Sequence, residues 1–182
     1  ERLIREEGDE PSFKGYSPDG ARYPFPAALC VSVNDEVVHG IPGERVLKEG
    51  DIVSLDLGLT HKGLVMDAAI TVPVGEVDAN SRALMDATRV ALDAAIAAAR
   101  TGNRIGDISY ATGAAFKGTP FSVVKVLGGH GVGRGVHEEP YIANDGHPGT
   151  GPEIEPGMVL ALEDVTGLLE REEKLAGGNL IE

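Results

Sequence analysis

Two runs of strand-forming residues joined by a short polar segment constrain the fold of this chain more than any other feature. Residues 52–57 and 64–72 are rich in valine, isoleucine and leucine, and they flank the segment Thr-His-Lys-Gly at residues 60–63. This pattern predicts an antiparallel β-hairpin. If His and Lys are the two central turn residues, Asp56 lies directly opposite Asp67 on one face of the hairpin.

Two aspartates that face each other among apolar neighbours need a partner. Like charges directly opposite each other destabilise a β-ladder, and buried charges are costly unless they are paired. A divalent cation between Asp56 and Asp67 removes this conflict, so both are candidate metal ligands. The alternative is that they are solvated strand aspartates in a register shifted by one or two residues.

The rest of the chain predicts an α+β fold. Asn80 or Ser81 can cap a helix that runs to about Arg100, and a shorter helix follows over residues 105–117. Further strands are predicted over residues 28–33, 121–127 and 159–165. Because the helices lie between sheet segments, we expect them to pack on one face of a largely antiparallel sheet, in a single domain of residues 1–182.

Residues 129–140 place two histidines seven positions apart among four glycines, followed by two acids. Glycine lets the backbone approach a ligand closely, and His130 and His137 can each supply a nitrogen ligand or carry a proton near neutral pH. The alternative is a glycine-rich loop with two incidental histidines.

The C-terminal part suggests a second pair of carboxylates. Glu163 lies in a predicted strand and Glu182 ends the chain, with the charged residues 172–173 midway between them. A hairpin there would mirror the first one, as a pseudo-twofold duplication. Four carboxylates and one histidine suit two divalent ions, of Mn²⁺, Fe²⁺, Co²⁺ or Zn²⁺. Two such ions activate water and polarise a carbonyl group, which is the chemistry of amide hydrolysis.

Composition excludes several other classes of partner. A net charge of −13 argues against binding to nucleic acid or to an anionic membrane, because both need basic patches. No apolar run reaches the roughly 18 residues of a membrane span.

The single cysteine, Cys30, excludes an intrachain disulfide and indicates a reducing, cytoplasmic compartment. No feature calls for an oligomer, so we expect a monomer.

Four ordered segments resemble the motifs of type I methionine aminopeptidases, which have the pita-bread (creatinase/aminopeptidase) fold. These segments are residues 32–43, residues 51–56 together with Asp67, residues 129–140 and residues 156–163. The resemblance implies a two-metal hydrolase that removes N-terminal methionine from peptides and nascent proteins by attack of a hydroxide held between the ions. Its implied metal ligands are Asp56, Asp67, His130 and Glu163, with Glu182 as the fifth.

The same resemblance implies roles for further residues. His137 would hydrogen-bond the scissile carbonyl group, His39 would contact the substrate backbone, and Glu163 would shuttle a proton from water to the leaving amine. The methionine pocket would be lined by four residues: Tyr16, Phe25, Cys30 and Val136. For Tyr16, Phe25 and Cys30 the alternative is simple core packing.

Departures from the family pattern keep other functions open. Val136 replaces the usual aromatic residue before the second histidine, Asp164 replaces the usual proline after Glu163, and Glu182 resembles the acidic residue of the prolidase and aminopeptidase P branch. The family's N-terminal helical segment and its closing motif are absent, so we expect a trimmed chain. The alternatives are therefore a Xaa-Pro aminopeptidase or prolidase-like peptidase of the same fold, or a non-catalytic peptide-binding module.

Overall fold

The chain divides into two units, each held together by its own internal contacts. The computed structural model describes residues 1–18, 21–163 and 166–168. The first unit comprises Glu1–Ser81 and Val132–His137, and the second comprises Arg82–Gly131 and the described residues from Glu138 onward. Whether they act as the predicted single catalytic domain stays a prediction.

The first unit is built around a long hairpin, as the two strand-forming runs predict. Its elements are helix α1 (Arg2–Glu6) and four strands, β1 (Glu10–Pro11), β2 (Cys30–Val33), β3 (Ile52–His61) and β4 (Leu64–Pro73). Strand β3 pairs antiparallel with β4 along its whole length, and it also pairs with β1 and β2. Both hairpin strands are longer than predicted, because the pairing continues up to the turn.

The predicted register of this hairpin is wrong by two residues. Asp56 lies opposite Ala69 rather than opposite Asp67. The central turn residues are Lys62 and Gly63, with φ angles of 49° and 80°, and a type I′ hairpin turn requires positive φ at both positions. Because a shift of two residues leaves every side chain on its own face, Asp56 and Asp67 still share a face, as diagonal neighbours.

The second unit packs two helices with short antiparallel strands. The helices are α2 (Ala79–Ala98), whose first residues belong to the first unit, and α3 (Ile105–Ala115). The strands are β5 (Phe121–Val123), β6 (Gly128–Gly131), β7 (Glu138–Ala143), β8 (Leu160–Ala161) and β9 (Thr166–Leu168). They form a β7–β6–β8 sheet and a β5–β9 pair.

Two apolar clusters join the helices to these strands. In the first cluster Ile108, which is fully buried on α3, packs with Ala95 of α2 and Ile142 of β7. In the second, Ala91 of α2 packs with Phe121 of β5. The predicted α+β packing of helices against antiparallel strands is therefore confirmed within this unit.

The helix ends differ from the sequence prediction. Asp78 caps α2, in place of Asn80 or Ser81, and accepts hydrogen bonds from the backbone N–H groups of both residues at 2.8 and 2.9 Å. In α3, Asp107 accepts hydrogen bonds from the backbone N–H groups of Arg104 and Gly149, and these bonds hold the pKa of its carboxyl group below the ordinary value.

Some predicted strands are shorter in the structure. The strand expected over residues 121–127 ends at Val123, and a turn separates it from β6. Glu163 follows β8 after one residue instead of lying inside a strand. The predicted second hairpin with Glu182 lies outside the described residues. Within the described part of the chain, no helix is long and apolar enough to cross a lipid bilayer.

Candidate metal centre and active site

One face of the hairpin carries the two candidate aspartate ligands of the first unit. Asp56 and Asp67 are both half-buried. Cys30 lies directly opposite Asp56 on the other neighbouring strand, β2, so its side chain shares that face. The cross-strand hydrogen bond between the hydroxyl groups of Ser54 and Thr71, at 2.8 Å, lies on the same face. The hairpin therefore presents its small and polar side chains together.

His130 lies in the central strand of the second unit's three-stranded sheet, between two glycines. A Cβ atom on Gly129 would collide with the carbonyl oxygen of Ala161 in β8, and one on Gly131 would collide with the carbonyl oxygen of Glu139 in β7. Glycine is required at both positions because the neighbouring backbones approach too closely for a side chain. This packing leaves only 6% of His130 exposed.

The hydrogen bonds of His130 fix which ring nitrogen carries the proton. Its Nδ1 atom lies 2.8 Å from the carbonyl oxygen of Gly131. A carbonyl oxygen only accepts, so Nδ1 donates and the neutral ring keeps its lone pair on Nε2. Metal-binding histidines are typically oriented by such a backbone contact.

The Nε2 atom of His130 lies 3.2 Å from Oε1 of Glu163. A nitrogen lone pair and a carboxylate oxygen repel each other at this distance unless a proton or a metal cation lies between them. Nitrogen and carboxylate oxygen are also the donor types that divalent first-row metals prefer. The His130–Glu163 pair therefore fits metal coordination.

His137 lies in the first unit and contacts Tyr16. The phenol oxygen of Tyr16 lies 2.6 Å from Nδ1 of His137. The two rings are tilted by 57°, with their centroids 5.3 Å apart. His137 is exposed and Tyr16 is half-buried. This contact was not predicted from the sequence. The two residues are 121 positions apart, so no local sequence pattern indicates that they meet.

His39 is exposed and has an unusual backbone conformation. Its φ angle of 58° lies in the left-handed region, which is uncommon for residues other than glycine and is concentrated at functional sites. The next residue, Gly40, donates its N–H to the hydroxyl of Ser32 at 3.1 Å and accepts a hydrogen bond from Val31 at 2.8 Å. These bonds hold the segment beside β2.

The predicted pocket residues also lie in the first unit. The backbone N–H of Phe25 donates to the carbonyl oxygen of Tyr16 at 2.8 Å, which brings these two residues together. Cys30 and Val136 are buried, and Phe25 is half-buried. Their predicted contact with a methionine side chain stays a prediction. Glu182, the predicted fifth metal ligand, lies outside the described residues.

Comparison with known proteins identifies the family. The model of metallopeptidase family M24 matches residues 2–178. The chain belongs to metallopeptidase family M24. The predicted pita-bread fold and metal-dependent peptidase chemistry are those of this family, which confirms the resemblance drawn from the sequence motifs.

Named relatives of this M24 chain are methionine aminopeptidases. It is 42% identical over 179 residues to methionine aminopeptidase 1 of Bacillus subtilis, covering 98% of this chain and 70% of that protein. The crystal structure of methionine aminopeptidase from Thermotoga maritima superposes with a TM-score of 0.82 at 45% identity, covering 90% of this chain and 64% of that one. The chain thus spans about two thirds of the length of these relatives.

A more distant likeness bears on the fold alone. Prolidase from Pyrococcus furiosus superposes with a TM-score of 0.65 at 24% identity, covering 75% of this chain and 40% of that one. Both the identity and the coverage are lower than for the methionine aminopeptidases.

Proposed function

We propose that this chain is a metal-dependent aminopeptidase that removes N-terminal methionine from peptides and nascent proteins. The observation that carries the proposal is the His130–Glu163 pair, in which the Nε2 atom of a buried histidine lies 3.2 Å from a carboxylate oxygen. Identity above 40% to methionine aminopeptidases supports this substrate over a Xaa-Pro peptide. Activity as a monomer in the cytoplasm is part of the same proposal.

The proposed ligand set for two divalent ions is the one that the sequence motifs imply. It consists of Asp56, Asp67, His130, Glu163 and Glu182, which would hold the ions through carboxylate oxygens and one imidazole nitrogen. Each unit supports this set by itself. In the first unit, the two aspartates share one face of the hairpin. In the second unit, Nε2 of His130 lies 3.2 Å from Oε1 of Glu163. Donor chemistry admits Mn²⁺, Fe²⁺, Co²⁺ or Zn²⁺.

When bound, such ions lower the pKa of a water molecule and polarise the carbonyl group of the scissile amide. The half-exposed carboxylate of Glu163 would take a proton at a side-chain oxygen and pass it to the leaving amine. His137 would donate a hydrogen bond to the carbonyl oxygen as negative charge develops there. Exposed His39 would orient the substrate backbone beside the cleaved bond.

Two substitutions separate metal binding from catalysis. Asp67→Ala is expected to abolish hydrolysis and tight binding of the second ion. His137→Ala is expected to leave metal binding unchanged and to lower kcat about 100-fold, the scale of losing one oxyanion donor. Calorimetric titration with Mn²⁺ and a peptide hydrolysis assay measure the two effects.

Exposed residues of the same types provide matched controls. Asp93→Ala on α2 and His147→Ala in a loop remove an aspartate and a histidine at exposed positions, and both variants are expected to keep wild-type activity. Full activity of Asp67→Ala or of His137→Ala would contradict the proposed mechanism.

A further inference from the structure

The contact between Tyr16 and His137 determines which end of the imidazole ring can donate a hydrogen bond. Their atoms lie 2.6 Å apart. That distance is shorter than the usual range for an N–H donor to oxygen and typical of an O–H donor. The phenol supplies an O–H donor, and a ring nitrogen that carries no proton can only accept. The hydroxyl group of Tyr16 therefore donates a hydrogen bond to Nδ1 of His137.

We propose that Tyr16 is a positioning residue, which holds neutral His137 in the tautomer that carries its proton on Nε2. A neutral imidazole has one N–H group, so an acceptor at Nδ1 leaves the donor at Nε2. In the other tautomer Nε2 would present a lone pair and could not stabilise a developing oxyanion. This consequence for the reaction rests on the proposed aminopeptidase function, whereas the tautomer itself does not.

The hairpin fixes the Tyr16 side of this contact. The N–H of Tyr16 donates to the carbonyl oxygen of Phe13 at 3.0 Å. Phe13 is 8% exposed, and its ring occupies the space where a side chain at Gly58 of β3 would lie. The N–H of Ser12 donates to the carbonyl oxygen of Gly58 at 2.9 Å. The segment before Tyr16 is thus attached to β3 by both packing and hydrogen bonds.

The same hairpin fixes the His137 side. The N–H of Val65, at the start of β4, donates to the carbonyl oxygen of Gly133 at 2.7 Å. Val132 and Val136, in the segment that leads to His137, are 7% and 9% exposed. The segment before Tyr16 is attached to β3, and the segment before His137 is attached to β4. Because β3 and β4 are paired along their whole length, both residues are held by the same hairpin. The tilted ring contact adds a second restraint on the imidazole.

Nitrogen-15 NMR measures the tautomer directly. Two-bond ¹H–¹⁵N correlations at a pH where the imidazole is neutral show which ring nitrogen is protonated. The chain has five histidines, and loss of one signal set in His137→Gln assigns His137. We expect the Nε2–H form in the wild type and a mixture of both forms in Tyr16→Phe, which keeps the aromatic ring. An Nδ1–H form in the wild type, or no change in Tyr16→Phe, overturns the proposal.

Kinetics test the consequence for the reaction. Tyr16→Phe is expected to lower kcat about tenfold, the upper range for one hydrogen bond, with KM changed less than about twofold because the ring remains. The same substitution in a His137→Ala background is expected to change kcat no further, since the two residues act as one unit. An equal loss in both backgrounds would overturn the positioning role.

A control and a second readout keep the outcomes distinct. Tyr110→Phe removes a hydroxyl group from α3 and leaves the ring under Lys117 in place, so it should leave kcat unchanged. If the chain cleaves no peptide, the proposed function fails while the NMR result still decides the tautomer. If Tyr16→Phe does not fold, an Nδ1–H form of His137 in the wild type overturns the proposal and an Nε2–H form supports it.

Discussion

The β3–β4 hairpin and strand β6 both carry candidate metal ligands, but they hold them in different ways. In the hairpin, Asp56 and Asp67 share a face only because side chains alternate along a strand, and neighbouring positions on the opposite face are open, such as Met66 with 57% exposure. In β6, His130 is enclosed between two neighbouring backbones that leave no space beside it.

This difference separates two kinds of constraint on a metal site. In the hairpin, the positions of Asp56 and Asp67 depend on the register of the two strands, which the turn residues and the apolar pattern determine. A substitution on the opposite face therefore leaves the two aspartates in place. The position of His130 in β6 depends on the close approach of the neighbouring backbones. One methyl group added at Gly129 would therefore displace β8, the strand that precedes Glu163. We therefore expect the two regions to respond very differently to small changes.

The largest expected effect comes from Gly129→Ala. Its Cβ atom would collide with the carbonyl oxygen of Ala161 and would lie 3.3 Å from the backbone nitrogen of Glu163. We expect a loss of about 3 kcal/mol in the free energy of unfolding, the upper range for overpacking, together with weaker metal binding. Urea denaturation and Mn²⁺ titration measure both quantities.

Gly43→Ala is the matched control for this substitution. A Cβ atom at Gly43 meets no other atom within 4 Å, so the same added methyl group should change stability by less than about 0.5 kcal/mol. Equal stability of the two alanine variants would show that β6 is not closely enclosed.

A smaller effect is expected in the hairpin, where adjacent residues of β4 differ in burial. Val65 is 5% exposed and Met66 is 57% exposed. Val65→Ala is expected to lower the free energy of unfolding by about 2 kcal/mol through lost burial and a cavity. Met66→Thr is expected to change it by less than about 0.5 kcal/mol. The reverse order in urea denaturation would mean that the two faces of β4 have been exchanged.

The sequence predicted the hairpin because its apolar runs and polar turn are local signals. The register was missed by two residues, although a glycine at position 63 is typical of the second turn position when the turn centres on Lys62 and Gly63. The shared face of Asp56 and Asp67 survived this error because side-chain direction repeats every two residues.

Contacts between distant segments were beyond sequence reasoning. The chemistry of residues 129–140 indicated candidate ligands, but the need for Gly129 arises from Ala161 in another strand. The Tyr16–His137 hydrogen bond likewise depends on how the hairpin brings two loops together. The strand predicted over residues 121–127 ends early, at Val123, because an apolar run does not reveal a turn within it.

Peptide hydrolysis by the metal-stripped chain tests the central claim most directly. Met-Gly-Met-Met and a Xaa-Pro-led peptide are each incubated with the chain before and after Co²⁺ or Mn²⁺ is added back. We predict that methionine is released from the first peptide only when metal is present, and that the second peptide remains intact. Cleavage of the Xaa-Pro peptide, or no cleavage of either peptide when metal is bound, would contradict it.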